Sequence, residues 1–139
     1  MPVSFRILPD RGLVYVRYSG IAGARESQLA FAQYMQHPDC RPGQKHLVDL
    51  SDVIGFENDY GRLMELQALK AEHFVGQPVE TLLAYFAPGV AAQQMAAFVL
   101  RSWQGRDEIV ARVLLTEAET LAFLGLPERS IGALLEDQF

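Results

Sequence analysis

Only one cysteine, Cys40, occurs among the 139 residues. An internal disulfide and a metal site built of thiolates are therefore excluded, and Cys40 reads as an ordinary reduced thiol. No Gly-x-Gly-x-x-Gly follows a strand and no Gly-Lys-Ser/Thr occurs, so the known nucleotide-phosphate fingerprints are missing. Runs of Lys and Arg are missing too, and the formal charge of −5 argues against a nucleic-acid surface, which works by displacing counterions from phosphates. Apolar runs end after a few residues, far short of the roughly 20 that span a bilayer. Met1-Pro2-Val3-Ser4-Phe5-Arg6 lacks the apolar core of a signal peptide. The expectation is a cytoplasmic protein with no transmembrane segment, peripheral membrane contact being left open.

What is present is the material of one globular domain, residues 1–139. Hydrophobic residues make up 50% of the chain and charged residues 21%, close to the globular average, and a chain of this length buries a full core. Val3 to Leu8 and Leu13 to Tyr18 read as strands of an antiparallel hairpin around Pro9-Asp10-Arg11-Gly12. Gly23 to His37 has a helical period with Phe31, Tyr34 and Met35 on one face, and Pro38 ends it. His46 to Leu50 is a short apolar strand, followed by a turn. A helix then begins near Asn58 and carries Tyr60, Met64, Ala68, Ala71 and Val75 as its apolar stripe. Glu80 to Ala87 is a further strand, and Val90 to Gln104 a helix with Ala91, Met95, Phe98, Val99 and Trp103 facing inward. Ile109 to Leu115 is the last strand. Thr116-Glu117-Ala118-Glu119 is a capping box that opens the last helix, and Gly125-Leu126-Pro127 closes it. The order β-β-α-β-α-β-α-β-α predicts an α/β domain with a mostly parallel sheet opened by an antiparallel hairpin.

That order, together with Leu47-Val48-Asp49-Leu50-Ser51-Asp52-Val53 as a central strand, resembles the STAS and SpoIIAA-like proteins, which include bacterial anti-anti-sigma factors. The element pattern spans almost the whole chain, the residue-level likeness about twenty positions. In the phosphorylated branch the turn after this strand reads Asp-Ser-Ser/Thr-Gly. Here Glu57-Asn58-Asp59-Tyr60 stands in its place, without the acceptor hydroxyl, and Asn58 or Asp59 would cap the helix instead. The chain looks closer to the SpoIIAA-like branch that lacks the phosphoacceptor and shares a fold with the lipid-exchange SEC14 domain. The resemblance implies a non-enzymatic module that binds a protein or an apolar ligand and is not switched by serine phosphorylation at the usual turn.

Two sets of residues are candidates for a site. One is a polar rim at the carboxyl edge of the sheet, Asp49, Ser51, Asp52, Phe56, Glu57, Asn58, Asp59 and Tyr60, since open α/β sheets bind ligands outside the carboxyl ends of their strands. Its expected occupant is a protein partner. The other is an apolar pocket of Tyr85, Phe86, Met95, Phe98, Val99 and Trp103 under an Ala-rich helix whose small side chains would let it move, expected to take a lipid or another small apolar molecule. If Trp103 were exposed, its helix face would instead be an interaction surface. A metal-dependent enzyme using the Asp49–Asp59 acidic group is a third alternative. No catalytic residues, metal ligands or cofactor are assigned. His73 is placed on the solvated side of its helix, and pairing through the edge of the opening hairpin would allow a homodimer.

Overall fold

The computed structural model describes residues 3–74, 80–104 and 109–136. Five strands form one sheet in the order β1-β2-β3-β4-β5, with β1 (Val3–Leu8) antiparallel to β2 (Leu13–Ala22) and β3 (Lys45–Phe56), β4 (Thr81–Phe86) and β5 (Ile109–Leu114) following in parallel. The α/β class, the opening hairpin and the parallel remainder are as the sequence predicts. The hairpin turns on a 3-10 turn, Pro9–Arg11, closed by Gly12 at φ +59°, a backbone region that favours glycine.

Strand order rises without reversal, and right-handed crossovers then put every connecting helix on the same face. Helices α1 (Ala24–Gln36), α2 (Tyr60–Phe74) and α3 (Val90–Ser102) accordingly lie side by side, α1 against α2 and α2 against α3. The opposite face is covered by α4 (Glu117–Phe123) and by α5 (Ile131–Glu136), a short helix that the sequence reading did not anticipate. Two cores result, because alternate strand residues point to opposite faces. Val14, Val48, Leu83 and Tyr85 meet α1, α2 and α3, while Tyr15, Leu47, Ala84 and Phe86 meet α4 and α5.

Helix ends follow local signals. Thr116 Oγ1 accepts from the Glu119 backbone N–H at 3.1 Å, the expected cap of α4. Gly125, at φ +73°, ends the helix with bonds from Gly125 N to Ala122 O and from Leu126 N to Leu121 O, the paired closure that a left-handed glycine permits.

The largest departure is the length of β3. The strand expected over His46 to Leu50 continues through Ser51 to Phe56, and β2 runs on beside it to Ala22. The register shifts between Arg17 and Ser19 and again between Gly20 and Ile21, each time with an extra residue on β3. Bulges of this kind reset alternation. Leu50 and Val53, three positions apart, both enter the three-helix core, so period-two reading broke at a place where the strand did not. β4 pairs with β3 only from His46 to Asp49, and the β2–β3 pair extends beyond the rest of the sheet.

Candidate functional site

The acidic residues of the proposed rim are dispersed. Asp49 is buried, 5% exposed, in the middle of β3. Its Oδ2 accepts from the Tyr15 hydroxyl, and its Oδ1 accepts from Ser51 N at 2.9 Å and Ser51 Oγ at 2.6 Å. The carboxylate that was expected to reach a ligand is thus engaged by its own chain. Asp52 is exposed and paired with Arg17. Glu57 lies 3.5 Å from Arg62, and Asp59 Oδ1 accepts from Arg62 N at 3.1 Å, so Asp59 rather than Asn58 caps α2. Asn58 is exposed. Among the described residues, no group of three or more His, Cys, Asp and Glu is placed to hold a metal ion. A sheet whose order never reverses also offers no switch-point crevice at its carboxyl edge.

A cavity of about 110 Å³ lies between the sheet and the three-helix layer. Of the predicted pocket residues Tyr85, Met95, Phe98, Val99 and Trp103 line it. Phe86 does not, because it follows Tyr85 directly on β4 and faces the α4–α5 core. From the predicted rim, Phe56, Glu57 and Asp59 line the same cavity, beside Gly23 and Ala24 at the start of α1. The two candidate sites therefore share a space, whose carboxyl-edge end is its mouth. Phe98 holds that mouth together, with its ring 5.4 Å from those of Phe56 and Tyr60 and the Arg101 guanidinium 5.9 Å above it.

Trp103 is 4% exposed and its Nε1 donates to the Tyr85 hydroxyl at 2.9 Å, which removes it from any outer surface. Burial raises the Tyr85 hydroxyl pKa, keeping it protonated. Nor is α3 loose. Ala92 and Ala96 are buried in the core between α3 and the sheet, where small side chains allow close approach. The cavity is lined instead by the neighbouring face of α3 through Met95, Phe98 and Val99.

The inward face of α2 also differs from the predicted stripe. Leu63, Leu66, Gln67 and Ala71 are buried, while Tyr60 and Ala68 are exposed, and Val75 lies outside the described residues. Apolar spacing pointed one residue away because the true face carries two polar residues, Gln67 and Lys70, and both line the cavity. Gln67 is 1% exposed. Its Nε2 donates to Ser102 Oγ at 2.8 Å, and its Oε1 has no hydrogen-bond partner. Lys70 is half-buried, with its ammonium nitrogen 5.9 Å from the centre of the Phe31 ring. Burial lowers its pKa to about 8.

Imidazoles and rings pack around this end. The His46 ring meets Tyr34 edge-on at 5.5 Å, and the His73 ring meets Phe31 at 5.7 Å and Tyr34 at 5.9 Å. Burial, then Lys70 and His73, push His46 down to about 3, and burial also lowers His73. Both rings are thus kept neutral, and His73 is half-buried rather than on a solvated face. Cys40 is half-buried against the same core. His37 Nδ1 accepts from Asp39 N at 3.0 Å, so that nitrogen is not directed at the thiol. The one signal that could have singled out Lys70 is scarcity. The chain has only two lysines, and the other, Lys45, donates to Leu124 O at 2.6 Å.

No protein-family model matches the chain, and a search of curated proteins returns no match. No described helix is long and apolar enough to cross a membrane.

Proposed function

We propose that this domain binds a small apolar ligand between the sheet and the α1–α2–α3 layer, without covalent chemistry of its own. The observation that carries the reading is the cavity of about 110 Å³ lined by Val14, Val48, Leu83, Tyr85 and Met95 and bordered at its mouth by Phe56, Glu57 and Asp59. Native interiors hold few voids larger than a water molecule, and a cavity of roughly 150 Å³ accepts benzene. The volume here favours a small molecule with a chain of a few carbons over an intact lipid, for which pockets of roughly 300 Å³ and above are usual. The opening hairpin and the run from Leu47 to Val53 keep the SpoIIAA-like family, in its branch without the phosphoacceptor, as the kinship we propose.

Titration of the labelled protein with 2-butanol, followed by amide NMR, tests this reading. Shift changes concentrated on Val14, Val48, Leu83, Tyr85 and Met95 support it, and the absence of saturable changes there overturns it. A second reading, reversible association with a protein partner, draws on Ile21 and Ile54, which stand 61% and 74% exposed on the β2–β3 extension. Exposed apolar side chains on a strand pair that extends beyond the rest of the sheet are a contact surface for another chain. Sedimentation with and without Ile54→Asp tests self-association there, and identical monomeric profiles at high concentration remove a second copy as the partner.

A further inference from the structure

Among the described residues that line the cavity, the charged groups lie apart. Among the described residues, the carboxylates that line it, Glu57 and Asp59, stand at the mouth, one 3.5 Å from Arg62 and the other capping α2. Lys70 lies about 16 Å further along the same helix at 1.5 Å per residue. Among the described residues, no carboxylate forms an ion pair with Lys70, whose Nζ lies 5.9 Å from the centre of the Phe31 ring. One turn back, Gln67 Oε1 is a buried acceptor with no donor. Residues three apart on a helix are neighbours, with Cβ atoms roughly 5–6 Å apart. Lys70 brings to the cavity wall a half-buried cation without an anion, and beside it Gln67 Oε1 is a buried acceptor without a donor, which is costly in a native interior. One kind of molecule answers both, since an anionic group pairs with Lys70 and a neighbouring hydroxyl satisfies Gln67.

Resting on the ligand-binding reading above, we propose that the ligand is a short aliphatic hydroxy acid, its carboxylate on Lys70, its hydroxyl donating to Gln67 Oε1 and its alkyl chain against Val14, Val48 and Leu83. The hydroxyl beside the carboxylate matches two side chains that share a helix face, and the cavity has room for a chain of about four carbons. A simple alcohol leaves the Lys70 cation without an anion, and a simple acid leaves Gln67 Oε1 without a donor. Charge-assisted bonds are about twice as strong as neutral ones, so the carboxylate contributes more to affinity and the hydroxyl more to discrimination.

Three probes of matched carbon number test the assignment by NMR titration at pH 7, namely 2-hydroxybutyrate, butyrate and 2-butanol. The expected result is that 2-hydroxybutyrate binds at least tenfold more tightly than either of the others. Lys70→Met is expected to weaken 2-hydroxybutyrate at least tenfold and to leave 2-butanol within twofold of wild type. Equal affinity for all three probes, or a Lys70→Met variant that keeps the preference, overturns the hydroxy-acid assignment while the ligand-binding reading stands on the 2-butanol result. No saturable binding of any probe overturns both. The comparison of probes on wild-type protein decides the matter even if the variant fails to fold.

Discussion

The hydroxyl of Tyr15 on β2 donates to Oδ2 of Asp49 on β3, and both side chains are buried. The contact ties two neighbouring strands just before the first bulge, between Arg17 and Ser19. Burial and the bond to Asp49 both raise the Tyr15 pKa, so the hydroxyl remains a donor through neutral pH and beyond. Tyr15→Phe leaves one carboxylate oxygen buried without its donor, which costs about 1–3 kcal/mol. The unfolding free energy is expected to fall by that amount, read as a lower denaturant midpoint at an unchanged slope, and a variant as stable as wild type would show that water replaces the hydroxyl.

Lys70 sets a stability that depends on alkaline pH. In the folded protein its pKa is about 8, against 10.5 when exposed. Between those values the unfolded chain binds the proton and the folded one does not, so stability rises with pH across that window and the group contributes no slope below it. Lys70→Met removes a half-buried cation without an anion and is expected to stabilise the protein at pH 7 by about 1 kcal/mol. Urea unfolding at pH 7 and pH 10 checks both statements, since the gain should shrink at the higher pH.

His46 acts at the acid end. Burial holds it neutral down to about pH 3, whereas in the unfolded chain it protonates near its ordinary 6.5. The unfolded state therefore takes up a proton that the folded state refuses, and stability falls as pH drops from 6.5 towards 3. His46→Gln is expected to flatten that part of the stability profile relative to wild type. Parallel profiles for the two proteins would contradict the assignment.

Trp103 Nε1 has the Tyr85 hydroxyl as its acceptor in a fully buried setting. Tyr85→Phe leaves the indole donor unpaired and is expected to cost about 1–3 kcal/mol. A shift in tryptophan fluorescence should accompany the loss, because Trp103 is the only tryptophan in the chain. Unchanged emission together with unchanged stability would contradict the role given to that bond.

Elements with local signals were legible in the residue order. Pro38 ends α1, Thr116 and Glu119 open α4, Gly125 closes it, and the strict alternation after the hairpin predicted the parallel sheet. The pocket was legible in part through Tyr85, Met95, Phe98, Val99 and Trp103, whose spacing reports a buried face. Phe86 was misplaced by a single strand position. The rim was legible only as a stretch of polar residues, because two extra residues on β3 hide the difference between a turn and a bulged strand.

By itself the order of amino acids determined the helices and strands that carry local signals, α5 and the second half of β3 excepted, since capping, proline and glycine act over a few residues. Tertiary structure decided where the polar groups go. Asp49 was drawn inward by Tyr15, a neighbour only through strand pairing, and Lys70 and Gln67 were turned towards a cavity that exists because three separate helices share one face of the sheet. Such placements depend on contacts between residues far apart in the chain, and no local periodicity records them.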